Sequence, residues 1–94
     1  MPEHEIAGGE VWLHADERVV STIDIQAGSL LGIVTTRESG RFYASLVRLG
    51  NRTGSRFDVP QWEFTALKRC ICASLEEARE VVLDVAASLT QHGA

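Results

Sequence analysis

Hydrophobic and polar positions change their period along this chain. Val19, Ser21, Ile23 and Ile25 alternate with Val20, Thr22, Asp24 and Gln26. A period of two is the pattern of a strand with one face buried. LLGIVTT (30–36) and RFYASLVRLG (41–50) are β-rich, with a turn at Ser39-Gly40 between them. The segment GNRTGS (50–55) reads as a loop. Pro60 cannot donate to a sheet ladder, so the next strand is expected to run from about Gln61 to Ala73. A short strand is expected around Val11-Trp12-Leu13-His14.

The period then lengthens. Leu75, Ala78, Val81, Val82, Val85, Ala86 and Leu89 recur at three- and four-residue steps, one apolar stripe of an α-helix over 75–91. Ser74-Leu75-Glu76-Glu77 has the form of a capping box, and Gly93 follows as a C-terminal stop. The pattern therefore predicts an α+β fold: an antiparallel sheet of four to five strands over about 10–73, then one amphipathic helix packed on one face. The chain is read as one domain, 1–94, with residues 1–9 as a flexible tail.

Dimensions add a constraint. Five strands about 4.8 Å apart make a sheet roughly 20–24 Å wide, whereas a helix covers about 10 Å of it. Phe42, Ala44 and Leu46 fall on one side of their strand, and Tyr43, Val47 and Leu49 on the other. Strands apolar on both faces are usually covered on both. A sheet this wide must curl into a partial barrel, or a second chain must cover it, so a homodimer enters as a candidate assembly.

With 45% hydrophobic and 23% charged residues, the composition is that of a globular chain. The opening MPEHEIAGGE has neither the basic nor the apolar region of a signal peptide, and no apolar run is long enough to span a bilayer. These features predict a cytoplasmic protein with no membrane partner. The net charge of −4 is unevenly spread: residues 1–36 carry −5, residues 37–69 carry +4, and residues 70–94 carry −3.

That imbalance defines two candidate surfaces. The first is acidic: Glu10, Asp16, Glu17 and Asp24, together with the helix acids, would meet a basic protein partner. Complementary charge of this kind speeds encounter and selects partners. A regulator or inhibitor that binds a nucleic-acid-binding protein, through this surface or an uncovered sheet face, is one concrete form. The alternative is a single-stranded DNA or RNA interface over 41–64. There Arg41, Arg48, Arg52 and Arg56 would follow phosphates while Tyr43 and Trp62 stack bases, at about 1–3 kcal/mol per base. Against it, Arg41 and Arg48 are an odd number of positions apart and should point to opposite faces.

Catalytic chemistry finds little support. His14, Ser21 and Asp24 are the residue types of a triad without any sequence that would expose the serine. No phosphate loop, HExxH or EF-hand motif occurs, and nothing implies a cofactor. Cys70 and Cys72 should share one side of their strand, yet CxC without a second pair is no zinc signature. Buried small hydrophobes are the expected role. The sequence thus predicts a non-enzymatic interaction protein without a metal.

Overall fold

The computed structural model describes residues 3–6, 9–26, 29–50 and 61–92. In chain order these form β1 (Glu3–Ile6), β2 (Gly9–Trp12), β3 (Arg18–Gln26), β4 (Leu30–Thr36), β5 (Phe42–Gly50), β6 (Gln61–Phe64), β7 (Cys70–Cys72) and α1 (Leu75–His92). The class is α+β, with a curled sheet and the C-terminal helix packed on it. Strand β1 lies within the stretch expected to be a flexible tail, where it pairs with β2.

The sheet order is β1-β2-β6-β5-β4-β3, with β7 following β6 along the same side of β5. It is mixed, which corrects the purely antiparallel expectation: β2 runs parallel to β6 through Glu10 and Gln61. Chain direction explains this. The link after β2 feeds the start of β3 at the opposite edge of the sheet, so β2 runs opposite to β3. Successive antiparallel pairing through β4 and β5 makes β6 run opposite to β3 as well. Two strands that both oppose β3 are parallel to each other.

The same link explains the curl. In a flat sheet β2 and β3 would lie four spacings apart, about 19 Å. Residues 13–17 must bridge them, and a fully extended chain gains at most about 3.3–3.6 Å per residue. This link is also bent by a turn in which the Glu17 N–H donates to the His14 carbonyl at 3.0 Å. The edges have to approach each other.

Curling gives the two faces of the sheet separate cores. Leu30, Val34, Ala44, Leu46 and Cys72 meet Ala78, Val82 and Ala86 of α1. On the other face, Leu31, Ile33, Val47 and Trp62 are covered by Val11 and Leu13. The face expected to be uncovered is thus filled across its centre by the chain's own N-terminal third.

The long strand expected over 61–73 is broken. Between the Val47–Phe64 and Ala44–Cys70 pairs, β5 advances three positions and its partner advances six. Three extra residues form a bulge at 65–69, which bends the strand and re-aims side chains. The odd insertion also flips parity, so Trp62 and Cys72 lie on opposite faces rather than on the same one.

Helix and sheet approach closely at Gly32. A Cβ there would lie 2.2 Å from Val82 Cγ1, so hydrogen is the only side chain that fits without movement. Gly32→Ala should therefore destabilise the fold by about 1–3 kcal/mol in chemical denaturation. Val82→Ala in the same chain should return part of that loss, because it removes the colliding methyl. Additive losses would mean that the helix does not sit on β4 in this way.

Candidate functional site

Acids expected on one binding surface divide between two very different environments. Glu17 is buried, with 1% of its surface exposed. Its carboxylate accepts from Arg69 Nε at 3.1 Å and Nη2 at 2.9 Å, from Thr35 Oγ1 at 2.6 Å and from the His14 N–H at 3.0 Å. Arg69 occupies the left-handed region with φ 50, a conformation that costs a non-glycine residue about 1–3 kcal/mol. It is held there by its N–H on Ser45 Oγ at 2.8 Å and by Nη2 on the Trp12 carbonyl at 3.2 Å. Its guanidinium lies between two rings, 4.5 Å from the centroid of Phe64 and 6.0 Å from that of Trp12.

Burial alone would push the Glu17 carboxyl up, but hydrogen bonds from Arg69 and Thr35 outweigh it and the group ends below its ordinary value. Glu17 is therefore a structural anchor with no oxygen left for a partner. Asp16 is also engaged: it accepts from Arg37 Nε at 3.0 Å and forms an ion pair with Arg37 Nη2 at 3.0 Å. The hydrogen bond from Arg37 holds its carboxyl below the usual range. Glu10 is half-buried beside β6, and Asp24 is exposed on β3. The four acids do not form one open surface.

The arginine and aromatic residues are also dispersed. Trp62 is 4% exposed and donates its Nε1 hydrogen to the Ile6 carbonyl at 2.8 Å, so its ring is a core side chain. Tyr43 is half-buried, its hydroxyl 3.3 Å from Ser39 Oγ. Arg41 and Arg48 are exposed, but seven positions along an extended strand separate them by roughly 23 Å. Arg52 and Arg56 lie outside the described residues. The triad types do not converge either. Ser21 and Asp24 pair with Val34 and Leu31, which face opposite cores, and Ser21 accepts from Arg79.

What the sequence reading underweighted is the outer face of α1. The Ser74 hydroxyl accepts from the Glu77 N–H at 3.1 Å, and the Glu77 carboxylate accepts from the Ala73 N–H at 2.8 Å, fixing the start of the helix. Ala78, Val82 and Ala86 then point into the core, so Glu76, Glu80, Leu83 and Asp84 face solvent. Glu76, Glu80 and Asp84 follow one another at four-residue steps, about 6 Å apart. None of the three forms a salt bridge among the described residues. Leu83 sits among them with 49% of its surface exposed. Like charges at this spacing cost a helix about 0.2–0.5 kcal/mol per pair. The residue types were visible in the sequence, but the position of Leu83 off the buried stripe was the signal.

Among the described residues, two clefts open beside the sheet. One, ≈ 220 Å³, is lined by Arg48, Glu63, Phe64 and Leu89. The other, ≈ 360 Å³, is lined by Arg41, Ile71, Cys72, Ala73 and Glu77. Among the described residues no three His, Cys, Asp or Glu side chains converge as a metal site, and no helix is long and apolar enough to cross a membrane. No family model matches the chain, and no curated protein or solved structure does.

The anchor makes a specific pH prediction. Because Glu17 titrates below its ordinary 4.5 when folded, its stabilisation is complete above that value and is lost as pH falls through the depressed one. Arg69→Met should cost about 3–5 kcal/mol at neutral pH, since it strands a buried charge. Acidification should narrow the gap between this variant and the wild type, as protonation of Glu17 relieves the stranded charge. Denaturation curves at neutral and acid pH measure both effects, and an unchanged gap would assign Glu17 no role as an ionised anchor.

Proposed function

We propose that this protein is a non-catalytic interaction module, a regulator or inhibitor that binds a basic protein surface through the outer face of α1. The observation that carries this reading is Leu83, half-exposed within a row of three carboxylates that have no ion-pair partner among the described residues. An apolar side chain bordered by carboxylates, with Arg79 one turn before it, suits an interface with a small desolvated centre and a largely acidic rim. A nucleic-acid-binding protein, whose own groove is basic, is the partner class that fits best. The cytoplasm, where its two free cysteines would stay reduced, is the compartment we assign to it.

Oligonucleotide binding has less support, because Trp62 is buried and Arg41 and Arg48 are far apart. In fluorescence anisotropy at about 50 mM salt, single-stranded DNA or RNA should bind weakly or not at all. Tight binding that collapses by about 200 mM salt would replace the protein reading with the nucleic-acid one.

For the protein reading, immobilised chain should retain a partner from its source cells. Glu80→Lys with Asp84→Lys should abolish retention, and Leu83→Ala should weaken it roughly tenfold, about 1.4 kcal/mol. Asp24→Lys, on β3, should have no effect. Retention that survives the double reversal would remove the helix surface from the proposal.

A further inference from the structure

The larger of the two clefts is left unused by the reading above. Three segments converge on it: Ser39 and Arg41 before β5, Ile71 and Ala73 at the end of β7, and Glu77 in the first turn of α1. Its volume of ≈ 360 Å³ falls at the lower end of the range for small-molecule sites.

Ladder parity shows what β7 offers there. Leu46 of β5 donates its N–H to the Leu67 carbonyl and accepts from the Thr65 N–H, both at 2.9 Å. Ala44 and Phe42 lie at even steps from Leu46, so their backbone groups point to the same side and meet Cys70 and Cys72. Ile71, between those two, turns its own N–H and carbonyl away from β5 to the outer edge. Neither group has a hydrogen-bond partner among the described residues. Ile71 is also 58% exposed, and Cys70 beside it is exposed rather than buried as expected.

Two opposite charges flank that edge. Glu77 is held in place: its carboxylate accepts from the Ala73 N–H at 2.8 Å, and its own N–H donates to Ser74 Oγ at 3.1 Å. The backbone of Arg41 is tied as well, its carbonyl accepting from Thr36 Oγ1 at 3.0 Å. Yet the guanidinium and the carboxylate line one cleft without an ion pair between them, or with any other group among the described residues. A purely anionic ligand would meet Glu77 there, and a purely cationic one would meet Arg41. A ligand that carries both charges satisfies both.

We infer that this cleft binds a small zwitterion of the amino-acid class, free or as a short peptide. Its carboxylate lies on Arg41, its ammonium on Glu77, and an apolar side chain against Ile71. The Ile71 N–H and carbonyl give the two charged ends a second donor and a second acceptor. The site shares no residue with Glu80, Leu83 and Asp84 and does not rest on the partner proposed above.

The test is an NMR titration of the full chain, read at the amide signals of Gly40, Ile71 and Ala73. Leucine and the dipeptide Leu-Leu are the zwitterionic probes, and the tighter of the two defines which form the site takes. N-acetyl-leucine, without the ammonium, and leucine amide, without the carboxylate, should each bind about tenfold more weakly or worse. Arg41→Gln should remove the preference for leucine over leucine amide. Glu77→Gln, which keeps the helix cap, should remove the preference over N-acetyl-leucine. Absence of shifts at about 10 mM of either zwitterion, enough to fill a millimolar site, or equal binding of the blocked probes, would overturn the assignment.

Discussion

The ion pair between Glu17 and Arg69 is the constraint on which the rest of this structure depends. Glu17 ends the link that crosses from one edge of the sheet to the other, and Arg69 ends the bulge that interrupts the strand beside β5. Their contact pins the crossing segment down, covers the second face of the sheet and gives the bulge its strained residue. A buried pair of this kind is weak evidence of net stabilisation, because desolvation offsets much of the attraction. Its value here is geometric. Four donor groups converge on one carboxylate, and that set fixes the path of the link more tightly than apolar contact would.

The curl follows from the same short link and divides the interior in two. Val11 and Leu13 complete one core with Trp62, while α1 completes the other over β4, β5 and β7. Each layer is thin, which is why Gly32 has to admit Val82 so closely. Edge strand β3 stays half-covered, and its register shifts at Val20 and Ile25. Irregularities of this kind discourage pairing with another chain. The outer helix face has no such guard. Its like-charged carboxylates at four-residue steps oppose helix stability slightly, while its exposed leucine, a strong helix former, does not.

Local signals were legible where one element sufficed to produce them. Ser74 and Glu77 announced the start of α1, and the alternation from Val19 to Gln26 announced β3. The turn at Ser39-Gly40 appeared as expected, with Gly40 at φ 82. The candidate sites were less legible because their residues change role with their neighbours. Glu17 and Asp16 are adjacent in sequence, yet one is buried under Arg69 and the other is paired at the surface with Arg37. Trp62 reads as a stacking platform until the Ile6 carbonyl is found at its Nε1. Lys68-Arg69, two charges within an apolar strand pattern, marked the bulge, but its cause lies some fifty residues earlier in the chain.

The sequence by itself determined the α+β class, the strands over 19–26, 30–36 and 41–50 and the amphipathic helix, because these rest on periodicity and capping within a few residues. It also determined that a single helix is too narrow to cover this sheet. Only the tertiary structure decided that β2 runs parallel to β6, that the chain's own N-terminal third closes the second face, and which acids remain exposed to solvent. Those outcomes depend on a short link reaching across a curled sheet and on a carboxylate meeting a guanidinium far along the chain, and no local pattern encodes either distance.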